Sequence, residues 1–205
     1  MTERFPALRK IRVATPTSVL NSRVTVTESL SPQTTMADVL AAYPGARRAL
    51  FRKYHLGGCA SCGFQPTETL GQLCERNGGL NVAEVIAHIQ ASHEQDRQLE
   101  ISPREVADRR AHGEPVRLLD IRTREEWDAV RLDGAEFVNQ ELVQSLMGTA
   151  PREALLVFYD HSGTASLDAA AYFAGHGFTA AKFLRGGIDA WAQEVDAKLP
   201  RYRLA

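Results

Sequence analysis

The spacing of hydrophobic positions changes twice along the chain. Residues 1–32 hold little beyond Arg23-Val-Thr-Val-Thr27, where β-branched residues alternate with others and predict a short strand. From residue 33 the spacing turns helical. Met36, Val39, Leu40 and Tyr43 recur at i, i+3, i+4 and i+7 behind the cap candidate Thr35, and Pro44-Gly45 ends the run. A second helix is predicted over 46–56, stopped by Gly57-Gly58. A third starts at Thr67, carries Leu70, Leu73 and Cys74 on one face and ends at Gly78-Gly79. Asn81 caps a fourth, striped by Val82, Val85, Ile86 and Ile89. Residues 92–100 are polar and read as a linker or as a solvated extension of that helix.

Beyond residue 100 the pattern alternates between the two periods. Ser102-Pro103 opens a helix with proline in its first turn. Val116-Arg-Leu-Leu-Asp-Ile121 reads as a strand, and Thr123 caps a helix through Trp127. Ala154-Leu-Leu-Val-Phe-Tyr159 is a continuous apolar run, as expected of a strand covered on both faces. An alanine-rich helix over 163–177, a strand over 180–184 and a last helix from Gly186-Gly187 through Trp191 complete the series. Strands alternating with helices imply βαβ units. The fold class is therefore α/β, a parallel sheet flanked by helices, preceded by a smaller all-α domain. The domain reading is an extension over 1–32, a helical domain over 33–91, a linker over 92–100 and the α/β domain over 101–205.

Composition narrows the function classes. The chain has 205 residues, 44% of them hydrophobic, enough for a core and against wholesale disorder. Twenty-four basic residues face 25 acidic ones, so neither nucleic acid nor a membrane surface is an expected partner. No apolar run approaches the roughly 18 residues of a membrane span. Residues 1–10 lack an apolar signal core, and a cytoplasmic location is the expectation. The 3 cysteines are too few for a secreted disulfide framework and point to redox chemistry or metal.

Three ordered motifs carry a resemblance over about 101–196. Glu126-Trp-Asp-Ala-Val-Arg-Leu-Asp-Gly-Ala135, preceded by Asp120-Ile-Arg122, resembles the first rhodanese signature, and Leu184-Arg-Gly-Gly-Ile-Asp-Ala-Trp191 resembles the C-terminal one. Between them the segment Asp160, His161, Ser162, Gly163, Thr164, Ala165, Ser166 stands where that family carries its active loop. The resemblance implies a loop whose backbone N–H groups and following helix cradle an anion, with a cysteine thiolate carrying sulfur as a persulfide. This sequence has Asp160 at the cysteine's position and Ala165 at that of the family's arginine, while Val130-Arg131 replaces its usual Gly-His. A carboxylate cannot hold a persulfide and repels thiosulfate. Asp160 is therefore expected to sit in the cradle as a built-in anion, in a pseudoenzyme. The competing readings are Asp160 as nucleophile or base with His161, and Ser162 or Ser166 as a hydrolytic nucleophile, although no triad is apparent. His161 reads as a solvated loop residue, Trp127 and Trp191 as packing, and Gly186-Gly187 as a backbone turn.

Upstream, Ala37-Asp-Val-Leu, Tyr43-Pro44, Cys59-Ala-Ser-Cys62, Thr69-Leu70 and Gly79-Leu-Asn-Val82 are similar to a small helical family, the hybrid-cluster-protein-associated redox disulfide domain (DUF1858). The resemblance covers about 33–91 and implies a reversible disulfide. Cysteines this close would constrain little chain, so switching is a better rationale for the Cys59/Cys62 pair than stapling. His55, Arg52 and Lys53 could supply positive potential to a thiolate. A metal reading competes: His55, Cys59, Cys62 and Cys74 would make a zinc site, or the pair would hold an iron–sulfur cluster. Cys74 itself lies on an apolar face and reads as core. His88, His93, His112 and His176 show no ligand spacing. Arg47-Arg48 with Arg52-Lys53 read as a solvated helix face, alternatively as a surface for an acidic partner. Three functions are carried forward: a catalytically inactive redox-sensing or regulatory module with a protein partner in sulfur or redox metabolism; a sulfurtransferase or thiol–disulfide relay working through Cys59/Cys62; and a zinc-stabilised adaptor.

Overall fold

The computed structural model describes residues 30–57 and 63–202. The strand expected at Arg23–Thr27 and the pair Cys59/Cys62 lie outside the described residues.

Side-chain caps set where each helix starts. Thr35 caps α1 (Met36–Ala42) by accepting from the Asp38 amide. Helix α2 (Ala46–Tyr54) ends at His55, which turns into the left-handed region at φ 57°. This stops it two residues before the predicted end. Helix α3 (Leu70–Arg76) starts later than Thr67, because Thr69 and Gln72 form a reciprocal capping box. Asn81 caps α4 (Val82–Arg97). Met36, Val39, Leu50, Leu70 and Val85 are fully buried and pack these four helices together. Cys74 belongs to the same core, and burial pushes its thiol pKa up.

Of the two readings of 92–100, the helix extension holds as far as Arg97, and β1 (Glu100–Ile101) follows almost at once. That extension is not wholly solvated. Asp96 is only 8% exposed and pairs with Arg48 of α2 at 2.5 Å. Arg48 also reaches Asp168, far along the chain. The expectation of a solvated face over Arg47, Arg48, Arg52 and Lys53 is thus corrected at Arg48, and Arg47 lies over the Phe64 ring at 4.8 Å.

The second half continues with α5 (Pro103–Ala111), β2 (Val116–Asp120), α6 (Arg124–Ala129), β3 (Glu136–Phe137), α7 (Gln140–Thr149), β4 (Leu155–Tyr159), α8 (Thr164–Gly175), β5 (Ala181–Leu184) and α9 (Gly187–Glu194). The strands β1, β3 and the helix α7 were not expected: the strands are two residues long, too short to show a period. All strand pairs are parallel, in the order β1-β5-β4-β2-β3. Alternation along β4 sends Leu156 and Phe158 to one face, against α7 and α8, and Val157 and Tyr159 to the other, against α5 and α9. Both faces are covered, which is why the β4 sequence is apolar throughout. No helix among the described residues is long and apolar enough to cross a membrane.

Topology singles out one place for a ligand. The chain leaves β2 toward β3 at one edge and leaves β4 toward β5 on the opposite side, although β2 and β4 are neighbours. Parallel α/β sheets bind ligands in the crevice beyond the carboxyl ends of strands at such a reversal.

Candidate functional site

The crevice opens where Asp120 and Tyr159 pair at the ends of β2 and β4. Directly after β4, Asp160 folds back into its own loop. Its Oδ1 accepts from the Gly163 amide at 2.5 Å and from the Ser166 hydroxyl at 2.9 Å, and its Oδ2 accepts from the Ala165 amide at 2.9 Å. Asp160 as a whole residue is buried, 8% exposed. Two backbone donors and a hydroxyl at the start of α8 therefore converge on a charge that the chain itself provides.

Close backbone packing holds this loop. Gly163 has φ 91°, and a Cβ there would stand 2.9 Å from the Gly186 nitrogen. The first turn of α9 donates into the loop: Ile188 N–H to the Asp160 carbonyl at 2.9 Å and Asp189 N–H to the His161 carbonyl at 3.2 Å. Gly187, at φ 59°, permits this approach, since a Cβ would lie 2.4 Å from the Asp160 carbonyl oxygen. Gly186-Gly187 is thus a turn set by close backbone contact, as expected.

The β2 side of the crevice is built on an ion pair. Arg122 donates from Nε to Asp120 Oδ1 at 2.8 Å and from Nη2 to Oδ2 at 2.5 Å, with side chains 1% and 0% exposed. Nη2 also donates to the Val130 carbonyl at 2.7 Å, and Nη1 donates to the Tyr202 hydroxyl at 2.7 Å. Burial works against the guanidinium charge, but Asp120 outweighs it and holds the Arg122 pKa above its ordinary value. Burial and the neighbouring Asp120 carboxylate push the Tyr159 phenol upward.

The chain's C-terminal segment closes the crevice. The Tyr202 hydroxyl donates to Glu126 Oε1 at 2.6 Å, and its ring lies 4.6 Å, centroid to centroid, from that of His161. His161 is therefore not the solvated loop residue expected. It is partly covered, and its Nδ1 is buried with no hydrogen-bond partner among the described residues.

The other candidates fall into place around this. Ser162 Oγ lies 3.4 Å from Thr164 Oγ1, and Ser166 is buried with its hydroxyl committed to Asp160. No hydrogen bond among the described residues links His161 to Asp160, Ser162 or Ser166, so the loop presents no nucleophile paired with the histidine. Trp191 is core, and Trp127 tilts against Phe137 at 5.6 Å. His55 is exposed and edge-on to Phe51, while Cys74 is buried. The remaining members of that zinc set, Cys59 and Cys62, lie outside the described residues. No group of three or more metal-binding side chains gathers among the described residues. His88, His112 and His176 each bond a backbone carbonyl, at 3.0, 2.7 and 2.7 Å. The sequence points to Glu126 only as part of a signature and does not point to Tyr202, because Tyr202 joins Arg122 from 80 residues away and no local pattern records that.

Comparison with known proteins bears on the second half of the chain. A family model described as "Rhodanese-like domain" matches residues 102–194. Over 94 residues the chain is 35% identical to a "Sulfurtransferase" of Allochromatium vinosum, covering 46% of this chain and 88% of that protein. It is 31% identical over 91 residues to the "Thiosulfate sulfurtransferase GlpE" of Pseudomonas aeruginosa, covering 44% of this chain and 81% of that one. It is also 36% identical over 104 residues, 50% of its length, to the "Probable adenylyltransferase/sulfurtransferase MoeZ" of Mycobacterium tuberculosis. The match spans only 26% of the MoeZ protein's own length.

Proposed function

The chain belongs to the rhodanese-like family, and from that premise we propose that it serves as a binding or regulatory module in sulfur or redox metabolism rather than as a persulfide-forming sulfurtransferase. One observation carries the reading: the Asp160 carboxylate occupies the donors of its own loop. Gly163 N–H, Ala165 N–H and Ser166 Oγ–H are directed at it. A thiosulfate or a persulfide needs such donors, and here a fixed negative charge holds them. The position also lacks a sulfur nucleophile, and Ala165 offers no cation to a sulfur anion.

A thiosulfate:cyanide assay on the full chain tests this. No thiocyanate above background is expected from the wild type. Asp160→Cys is expected to restore little, because Ala165 leaves the sulfur anion without a cationic partner. Robust turnover by the wild type overturns the reading. Turnover that disappears in Cys59→Ala would instead favour a relay through the upstream cysteine pair.

A further inference from the structure

The crevice between β2 and β4 is not open. Tyr202 spans it, bonded on the β2 side to Arg122 and Glu126 and in tilted ring contact on the β4 side with His161. The segment that brings it there is anchored at two further points. Arg201 forks onto Asp189 of α9 at 2.6 and 2.9 Å. Leu199 and Tyr202 pack against the apolar cluster of Tyr159, Leu184 and Trp191.

We propose that this crevice is a binding site for a tyrosine-bearing peptide segment, and that in this chain its occupant is the chain's own residues 196–202. The site has the parts such a ligand needs. An aromatic ring finds the tilted imidazole of His161 and the apolar cluster that includes Tyr159. The phenol O–H finds one donor, Arg122, and one acceptor, Glu126, which together satisfy it in both of its roles. The donor is preorganised, because Asp120 and the Val130 carbonyl already fix the guanidinium plane. The arginine preceding the tyrosine finds a carboxylate in bidentate geometry.

The inference rests on the reading that the Asp160 loop is no persulfide site, and it deepens that reading. It names the ligand class as a protein segment rather than a small sulfur anion. The same contacts make residues 196–202 a competitor for any partner segment of like chemistry, since the crevice holds one phenol at a time. Withdrawal of Tyr202 uncovers His161 and the mouth of the loop.

Diethyl pyrocarbonate acylates accessible neutral histidine nitrogens, and peptide mapping by mass spectrometry reads each site separately. In the wild-type full chain, His161 is expected to react at least about tenfold more slowly than His112 and His176. In Tyr202→Ala it should approach their rate. A synthetic peptide Asp-Ala-Lys-Leu-Pro-Arg-Tyr added to Tyr202→Ala should restore protection, whereas the same peptide ending in alanine should not. The proposal is overturned if wild-type His161 reacts as fast as His112, if Tyr202→Ala leaves its rate unmoved, or if both peptides protect alike. Should Tyr202→Ala fail to fold, Arg201→Ala carries the test through the lost Asp189 anchor: a several-fold faster His161 supports the site, and an unchanged rate refutes it. These rates are read without turnover. Thiocyanate production would overturn the functional reading above, whereas His161 kinetics decide this one.

Discussion

Arg48 of α2 reaches across to Asp168 of α8, joining the helical unit to the helix that begins at the Asp160 loop. The same guanidinium holds Asp96 of α4 at 2.5 Å. The two carboxylates differ in setting: the Asp168 side chain is 65% exposed and that of Asp96 is 11% exposed. Burial raises the Asp96 pKa despite the pull of Arg48. Gly45 makes room for it, since a Cβ there would lie 2.0 Å from Asp96 Oδ2.

Removing Arg48 leaves a buried carboxyl without its partner. Arg48→Ala is expected to destabilise the chain by about 2–3 kcal/mol, while Asp168→Asn, at an exposed pair, should cost under about 1 kcal/mol. Gly45→Ala should cost about 1–3 kcal/mol by displacing Asp96. Urea denaturation midpoints check all three. Equal effects of Arg48→Ala and Asp168→Asn would contradict the assignment of burial to Asp96.

The donors around Asp160 give a second prediction. Asp160→Ala strips the partner from two amides and the Ser166 hydroxyl, at about 1–3 kcal/mol. It also vacates an anion cradle. Added sulfate should therefore raise the melting temperature of Asp160→Ala by several degrees more than that of the wild type, as differential scanning fluorimetry would show. Equal sulfate responses would mean that the loop donors are not held by Asp160.

The loop geometry predicts a third effect. Gly163→Ala combines a left-handed backbone with a Cβ 2.9 Å from Gly186 N, and should cost about 2–4 kcal/mol. Ser166→Ala removes one donor only and should cost about 1 kcal/mol. A Gly163→Ala protein as stable as the wild type would show that the loop can relax away from α9.

The pH dependence follows from Glu126. Burial opposes its charge, but the Tyr202 hydroxyl and the Thr123 amide and hydroxyl outweigh it, so its folded pKa lies below the ordinary value of 4.5. A lowered carboxyl pKa contributes stability above the unfolded value and loses it as pH falls through the folded one. Tyr202→Phe removes a donor to the charged form. Its deficit against wild type should be about 1 kcal/mol near neutrality and should narrow on acidification below 4.5. Stability curves against pH for the two proteins measure this. A deficit that stays constant into acid would place the hydroxyl's role elsewhere.

The buried fork is the fifth test. Arg122→Lys cannot reproduce the donors shared among Asp120, Val130 and Tyr202, and should cost about 2–4 kcal/mol with looser protection of His161. Preserved stability and preserved protection would show that a single point charge suffices there.

Much of this protein is legible in its residues taken locally. Spacing of Met36, Val39, Val85 and Ile89 marks the helices, caps at Thr35, Asn81, Ser102 and Thr123 mark their starts, and the apolar run through β4 marks a strand covered on both sides. These are short-range effects: a hydrogen bond to an amide two or three residues on, or a period matched to one buried face. The aspartate at position 160 is visible in the same way, because its donors lie within six residues of it. Contacts over long sequence separations leave no such trace. Arg48 meeting Asp168, Tyr202 sealing the crevice over His161, and the two-residue strands at the sheet edges exist only because packing brings distant segments together. Charge pairing and ring contacts are blind to sequence distance, so the fold alone decides which arginine is buried, which histidine is covered and where the site is closed.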